Sequence, residues 1–536
     1  FNRYGFFRCS TSFYNRPSVL KRFVEKYYSW NYTNGISDTK AEQKAVTDIF
    51  DIRFIGAERT SDEVRKETRQ EIVSFTKDST YAAEYDKFKR GVTGDIEKLL
   101  SPSITKLSDL FENEKNAIGL EKGNVSIASR INADFSLADT YTTEVRDTKS
   151  GYTLPLKYNG LGYNNLIDIY MLIKLTEVRP GKDFRILCLE EPEAHLHPAM
   201  QYKLFKYLRD LDDNDGLNQQ IFVTTHSSNI SAVAGIDNMF MLAYDRRNGS
   251  APDCTQQSLR EQFTDKVKDS KDKAEAKAHL TKFLDVTRSD MLFSDRVILV
   301  EGIAEKLLMP LFMEICECPY EDEHVSIVEI GGKHFKYFVE LFNGNAVEKK
   351  VLCITDKDFK WINTDKLSTF SAYEGDKPTH IADLRRDYPI DNLDIRTQLK
   401  GGRTFEDEFF LENMGNDAVA KLLFKKAVSA PVCDFLDKYG FDISAWDAHI
   451  EEMDGRARKP IEKYIEAYKN REDTSPDKAV EYEKLIFAEI YFHYAKSKKG
   501  AVALEILTDD GLTDEDGSSK IVVPQYIKEG LAWLLS

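Results

Sequence analysis

Two segments of the sequence end in carboxylates at spacings suited to a divalent cation. The apolar run 297–300 is followed by Glu301, and Glu305 lies one helical turn further on. A second apolar run, 351–355, is followed by Asp356 and Asp358. Carboxylates at neighbouring strand ends can share bound ions, and hard oxygen ligands favour Mg²⁺ or Mn²⁺. Such ions can activate a water and stabilise the charge that develops when a phosphodiester is cleaved, so this pattern predicts a hydrolytic metal site.

A second pair of acids follows another apolar run. Residues 185–189 end in Glu190 and Glu191, and the run 220–225 ends in His226. In phosphoryl transfer, one acid can hold Mg²⁺ while the next polarises an attacking water. The pattern therefore indicates a nucleotide site at the carboxyl edge of a sheet.

The elements around both sets alternate between strand and helix. Strands are predicted at 53–57, 185–189, 220–225, 297–300, 325–330 and 351–355, with helices at 166–175 and 199–211 and after Glu305. This alternation predicts α/β units with parallel sheets. A polar connector, 265–282, is expected to mark the boundary between domains at 1–285 and 290–536, with a helical insertion at about 60–140. Residues 418–497 are expected to be mainly helical, broken at Pro460 and Pro476.

Composition narrows the class of protein. A chain of 536 residues with 42% hydrophobic content and no apolar run long enough to cross a bilayer predicts a multidomain protein without a membrane segment. Seven scattered cysteines form no disulfide framework, and a cytoplasmic location is expected. The net charge of -16 argues against a protein that coats nucleic acid, but leaves room for a local basic groove.

The segment Glu191-Pro-Glu-Ala-His-Leu-His-Pro198, with Thr224-Thr-His-Ser-Ser228 downstream, resembles the Walker B, D-loop and H-loop series of ABC-type ATPases in the OLD (overcoming lysogenization defect) family. The resemblance implies that Glu190 binds Mg²⁺, that Glu191 is the catalytic base, and that His226 contacts the γ-phosphate region of ATP. Segment 158–165 stands in the place of the ABC signature loop. There the expected nucleotide-binding residues are Gly160, Gly162 and Asn164.

One part of an ATP site is missing from the sequence. No Gly-x-x-x-x-Gly-Lys-Ser/Thr loop occurs, and Gly331-Gly-Lys333 is not a substitute. The chain is expected to start inside a domain, with that loop upstream of it. The alternative is a protein that no longer hydrolyses ATP.

The Glu-Gly-x-x-Glu and Asp-x-Asp motifs, in this order, resemble the Toprim domain of topoisomerases, primases and OLD nucleases. The resemblance implies that Glu406 and Glu408, from segment 404–408, are additional metal ligands. The full set of expected ligands is Glu301, Glu305, Asp356, Asp358, Glu406 and Glu408. It also implies that Glu301, Asp356 and Lys499 are catalytic, with Lys499 neutralising charge on the scissile phosphate or on the leaving oxygen. The acids of segment 509–516 are interpreted as a solvated loop.

The resemblance as a whole implies an ABC-type ATPase head with a helical dimerisation insertion, fused to a C-terminal Toprim nuclease. The expected function is an ATP-regulated, Mg²⁺- or Mn²⁺-dependent DNA endonuclease of bacterial anti-phage defence, as in the Gabija nuclease subunit. Expected partners are DNA, further copies of the chain in a homodimer or larger homo-oligomer, and a helicase or effector protein. The alternatives are a topoisomerase or primase, and a non-catalytic ATP-gated scaffold for an effector.

Overall fold

A computed structural model describes residues 50–56, 82–114, 144–146, 153–155, 160–178, 184–212, 219–245, 253–259, 270–284, 288–342, 349–358, 379–471 and 473–536. The chain forms two compact units, residues 1–233 and 234–536. Of the predicted helical insertion at about 60–140, the structure describes residues 82–114. Residues 57–81 and 115–143 lie outside the described residues.

The first unit is built on a small parallel sheet. Its elements are β1 (Phe50–Ile55), α1 (Ala82–Glu114), β2 (Glu144–Arg146), β3 (Thr153–Pro155), α2 (Leu161–Val178), β4 (Phe184–Glu190), α3 (Pro198–Asp212), β5 (Gln219–Thr224) and α4 (Ser228–Ala234). The sheet order is β1-β4-β5, and both pairings are parallel. Leu187 and Leu189 of β4 are buried in one cluster with Ile169 of α2 and Leu204 of α3. This packing confirms the predicted strand, helix, strand unit.

The second unit begins with a hairpin and a four-stranded sheet. Its first elements are β6 (Phe240–Asp245), β7 (Asp253–Ser258), α5 (Ser270–Phe283), β8 (Arg296–Val300), α6 (Ile303–Ile315), β9 (Val325–Glu329), α7 (Phe335–Phe342), β10 (Lys350–Ile354), α8 (Thr379–Asp387) and β11 (Leu393–Arg396). The sheet order is β11-β10-β8-β9, and every pairing in it is parallel. All four carboxyl ends therefore lie at one edge of the sheet.

Helices follow the sheet. They are α9 (Phe405–Asn413), α10 (Asp417–Ala427), α11 (Ala430–Tyr439), α12 (Ile443–His449), α13 (Gly455–Lys469), α14 (Pro476–Ala495), α15 (Lys499–Leu507) and α16 (Gln525–Leu535). Helix α14 begins at Pro476 as predicted, but the predicted break at Pro460 is wrong, because α13 continues through that residue. Proline there removes one backbone donor and does not end the helix.

Both faces of the four-stranded sheet are buried, as is usual for parallel sheets. Ile298 and Ile354 face one cluster of apolar side chains, formed largely with the C-terminal helices. Val297 and Cys353 face the other, formed with α5 and α7. Strands buried on both sides read as continuous apolar runs, which is why β8, β9 and β10 were predicted from the sequence. β11 is mostly half-buried and was not predicted.

The predicted polar connector 265–282 is in part a helix. Helix α5 begins at Ser270 and packs on α7, with Ala276 and Leu280 buried on one face. These two apolar residues are four apart and so share a helical face, while Glu275 and Lys282 lie on the exposed side. None of the helices in the described ranges is both long and apolar enough to cross a membrane.

Candidate functional site

Two neighbouring strands bring the first predicted acids together. Val300, the last residue of β8, is paired with Ile354, the last residue of β10, so the residues that follow leave the same edge of the sheet. One carboxylate oxygen of Glu301, Oε2, lies 3.2 Å from both Thr355 Oγ1 and the backbone nitrogen of Asp356, and accepts a hydrogen bond from each. The end of β10 therefore fixes the Glu301 carboxylate.

Three further acids converge on this edge and are buried. The exposed fractions are 1% for Glu305, 5% for Asp356 and 4% for Glu406. Burial, and next the Glu406 carboxylate, raise the pKa of Glu305 to about 8. Burial, followed by Glu305 and Glu406, raises the pKa of Asp356 well above its ordinary value. Each carboxylate disfavours the charge of the others, so the cluster as a whole favours a nearby cation.

Lys499 supplies one positive charge to this cluster. It is the first residue of α15, which packs on α6, and its Nζ lies 2.8 Å from Glu406 Oε1. Burial opposes the charge on Lys499, but Glu406, Asp356 and Glu305 outweigh that effect and raise the pKa of the ammonium group. The single positive charge of Lys499 is smaller than the negative charge that Glu305, Asp356 and Glu406 carry when all three are ionised. The cluster can therefore accept a further cation.

The first unit brings together the second set of predicted residues. Glu190 at the end of β4 is paired with Thr224 at the end of β5. Glu191 follows with a left-handed backbone (φ 41°), and its backbone nitrogen donates to the Thr224 carbonyl at 2.9 Å. His226 Nε2 lies 3.4 Å from Glu191 Oε1, and both side chains are accessible to solvent. The predicted base and the predicted phosphate contact are therefore neighbours.

Family models match each of these regions. A model described as an AAA ATPase domain matches residues 16–231. A model described as the Toprim domain of overcoming lysogenization defect protein-like proteins matches residues 292–358. The chain combines an AAA ATPase domain with an OLD-like Toprim domain. The predicted fold class and the resemblance to the OLD family are thereby confirmed.

Two curated relatives carry nuclease names. The chain is 23% identical over 459 residues to "Endonuclease GajA" of Bacillus cereus (strain HuB5-5), which covers 76% of this chain and 64% of that protein. It is 25% identical over 185 residues to "OLD nuclease" of Thermus scotoductus, which covers 34% of this chain and 33% of that protein. The chain thus spans less than two thirds of the length of these relatives.

A solved structure also aligns with part of the chain. The C-terminal region of the Burkholderia pseudomallei OLD protein covers 37% of this chain and 99% of its own, at 18% identity. The TM-score of this alignment is 0.22.

In the Toprim domain, Asp358 lies at the exposed edge of the acid cluster. Its backbone is left-handed (φ 53°), and its nitrogen donates to the Arg403 carbonyl at 2.8 Å. Its carboxylate forms an ion pair with Lys333, from the loop after β9. Burial opposes the charge of Lys333, but Asp358, Glu301 and Asp356 outweigh it and raise the pKa of the lysine. The sequence pointed to Gly331-Gly-Lys333 only as a failed phosphate loop, so this role of Lys333 was missed.

His380 is a second neighbour that the sequence did not indicate. Its Nε2 lies 3.2 Å from the backbone carbonyl oxygen of Asp356. Burial, and next the charge of Lys333, lower the pKa of His380. No motif or spacing connects this histidine to the acids, since it lies on the second residue of α8.

Glu408, a predicted metal ligand, is engaged elsewhere. Its Oε1 accepts hydrogen bonds from the backbone nitrogens of Leu399 (2.7 Å) and Lys400 (2.6 Å), and its Oε2 from that of Gly402 (2.6 Å). A Cβ on Gly402 would lie 2.5 Å from the backbone nitrogen of Glu408, so only glycine permits this approach. We therefore leave Glu408 out of the proposed ligand set, because its carboxylate holds the loop before α9.

The remaining acids fit a divalent cation in their chemistry. Within the described ranges, no group of three or more His, Cys, Asp and Glu side chains is arranged so that it could hold a metal ion as it stands. However, Glu305 Oε2 is buried without a hydrogen-bond partner, and Glu406 faces Lys499. Buried, mutually repelling oxygen donors are the type of ligand that Mg²⁺ and Mn²⁺ select. The residues present thus fit the metal that the Toprim domain implies.

The ATPase domain contains a contact that the sequence did not reveal. Glu193 Oε1 accepts hydrogen bonds from Thr225 Oγ1 (2.5 Å) and from the backbone nitrogen of His226 (3.0 Å). The Thr225 hydroxyl in turn accepts from the backbone nitrogen of Ser227 at 2.9 Å. Glu193 thereby joins the turn after β4 to the histidine loop after β5.

The predicted signature loop opens helix α2. Gly160 is exposed, and no atom lies within 4 Å of the position a Cβ would take. At Gly162 a Cβ would lie 2.4 Å from the His195 carbonyl oxygen, so glycine is needed for close packing on the turn after β4. Asn164 is buried on the same helix, at 2% exposure. The predicted contact of these three residues with a nucleotide stays a prediction.

Proposed function

We propose that this protein is a DNA endonuclease that depends on a divalent metal and is regulated by ATP. The observation that carries the proposal is the convergence of Glu305, Asp356 and Glu406 with Lys499 at one edge of the Toprim sheet. Burying several acids together costs free energy unless cations or protons compensate. Relatives named endonuclease GajA and OLD nuclease support the reaction type.

The acids of the cluster would hold the metal. Glu301, Glu305, Asp356 and Glu406 supply the oxygens, with Asp358 at the exposed edge. When bound, the metal lowers the pKa of a water and stabilises the charge on the phosphate that is attacked. The protein positions these donors by the strand ends and by the hydrogen bonds that Glu301 accepts.

Lys499 would act on the scissile phosphate or on the oxygen that leaves it. The surrounding acids keep the lysine protonated, so it presents a permanent positive charge. Its side chain is 31% exposed, which leaves the ammonium group accessible to a substrate from solvent. A charge held in place before the substrate arrives needs no reorganisation during the reaction.

The ATPase domain would regulate DNA access rather than drive cleavage. Glu191 would orient an attacking water, and His226, whose side chain lies beside it, would sense the γ-phosphate, which are roles for an ATP-dependent switch. We further propose that the protein acts as a homodimer or larger assembly in bacterial anti-phage defence, with DNA as substrate and a helicase or effector as a further partner.

Plasmid nicking tests the nuclease. We expect the parent protein to nick DNA with Mg²⁺ or Mn²⁺ and not with EDTA, and Asp356→Asn to abolish nicking. Asp322→Asn is the matched control, because Asp322 is an exposed aspartate of the same unit. A covalent protein-DNA adduct would favour a topoisomerase instead, and absence of cleavage in every metal would favour a scaffold.

ATP and a non-hydrolysable analogue test the regulation. If ATP acts as a switch, the analogue changes the nicking rate in the same direction as ATP, and Glu191→Gln abolishes ATP turnover without abolishing nicking. Cleavage that requires continuous hydrolysis would contradict the switch.

A further inference from the structure

Gln398 is a fully buried polar side chain at the edge of the acid cluster. It follows β11, the neighbour of β10 in the sheet, and its exposed fraction is 0%. A buried amide must satisfy both its donors and its acceptor within the protein. The hydrogen-bond partners of Gln398 therefore indicate why this side chain is buried.

The amide of Gln398 joins both sides of the Asp-x-Asp segment. Its Nε2 donates to Asp356 Oδ1 at 2.7 Å. Its Oε1 accepts from the backbone nitrogen of Lys357 at 2.8 Å and from Thr397 Oγ1 at 2.9 Å. A backbone N–H can only donate, so the amide oxygen must face Lys357 and the NH₂ group must face Asp356.

We propose that Gln398 is a positioning residue for the metal centre. Its hydrogen bond occupies one oxygen of Asp356, fixes the rotamer of that carboxylate and leaves the second oxygen, Oδ2, available to a cation. The inference rests on the proposed metal centre and adds to it a residue outside the ligand set.

The loop that carries Gln398 is itself anchored. Glu408 accepts three backbone hydrogen bonds from the segment that follows Gln398. At the end of this segment, the Arg403 carbonyl accepts the backbone N–H of Asp358. The Asp-x-Asp segment is thus held at both aspartates by one loop, and the Gln398 side chain of that loop contacts the Asp356 carboxylate.

Gln398→Glu is the decisive variant because it keeps the size and the acceptor. The new carboxylate can still accept from Lys357, but it places an acceptor, or a shared proton, against Asp356 where a donor stood. Replacing a residue that hydrogen-bonds a metal ligand typically lowers metal affinity by about ten- to a hundredfold. We expect Mn²⁺ affinity of the full chain, measured by the loss of the free-ion EPR signal, to fall by that factor.

Gln525→Glu is the matched control, since the Gln525 side chain is exposed in the same unit and donates a hydrogen bond to Glu529. It should bind Mn²⁺ like the parent. The double variant Asp356→Asn with Gln398→Glu reverses donor and acceptor and restores their hydrogen bond. It should recover the thermal midpoint lost in Gln398→Glu, but not the Mn²⁺ affinity.

The outcomes separate this inference from the proposed function. Parental Mn²⁺ affinity in Gln398→Glu, together with lost affinity in Asp356→Asn, would overturn the role of Gln398 and leave the metal centre intact. If the parent protein itself binds no Mn²⁺, the proposed function fails. Weakened Mn²⁺ binding in Gln398→Glu, measured at a temperature where variant and parent are both folded, supports positioning over a merely structural role.

Discussion

Replacing Glu305 by glutamine should stabilise the protein at high pH when no divalent cation is present. Glu305 is 1% exposed, and burial followed by Glu406 raises its pKa from 4.5 to about 8. The folded protein therefore binds a proton that the unfolded chain releases. The associated stability is fully present below pH 4.5 and is lost as the pH rises through about 8.

The size of the effect follows from the rise in pKa. Each tenfold change in proton affinity corresponds to about 1.4 kcal/mol, so the largest contribution of Glu305 alone is about 5 kcal/mol. Glutamine carries no charge at any pH and avoids this cost. The difference in free energy of unfolding between variant and parent should therefore be small at about pH 5 and several kcal/mol in favour of the variant at about pH 9.

Urea denaturation of the full chain in EDTA measures this difference. Glu505→Gln is the control, because Glu505 is exposed on α15 and should leave stability unchanged at both pH values. Addition of Mg²⁺ should narrow the difference between Glu305→Gln and parent, since a cation stabilises the charged parent cluster. A Glu305→Gln variant that is less stable than the parent at high pH, or a difference that does not vary with pH, would refute the reasoning.

Three further variants probe the same architecture. Lys499→Met leaves Glu406 without its ion pair, so we expect a loss of about 3 kcal/mol in urea denaturation and no plasmid nicking; unchanged nicking would contradict its role. Gly402→Ala forces a Cβ against the backbone of α9 and should cost about 2 kcal/mol or more, whereas Gly415→Ala, with nothing within 4 Å, should be near neutral. Glu193→Ala frees the histidine loop and should lower ATP turnover while Mn²⁺ affinity stays parental. Parental ATP turnover with weakened Mn²⁺ binding would contradict a role of Glu193 in the ATP site.

The strand ends could be predicted from the sequence, because few features determine them. Apolar runs that end in acids locate strands buried on both faces, and parallel order brings their carboxyl ends to one edge. Glu301 and Asp356 meet for this reason, as do Glu191 and His226. For these residues, the apolar pattern of the sequence and the parallel order of the strands predict the same contacts.

Contacts across loops could not be predicted in the same way. Gln398 reaches Asp356, and Lys333 reaches Asp358, only because of backbone paths that no spacing encodes. Helical spacing does separate the two predicted ligands of α9. Glu406 and Glu408 are two residues apart in the first turn of α9, and side chains at that spacing point to different faces of a helix. Glu406 lies beside Lys499, whereas Glu408 binds the backbone of the loop before α9.

Crystals grown with Mn²⁺ provide the most direct test of the shared metal site. The anomalous signal of manganese locates the ion without reference to activity. We expect a peak within ligand distance of Glu305, Asp356 and Glu406, and no peak there in Asp356→Asn crystals. Manganese bound only elsewhere, for example at the acidic segment 509–516, or no bound ion at all, would contradict a Toprim centre built from these acids.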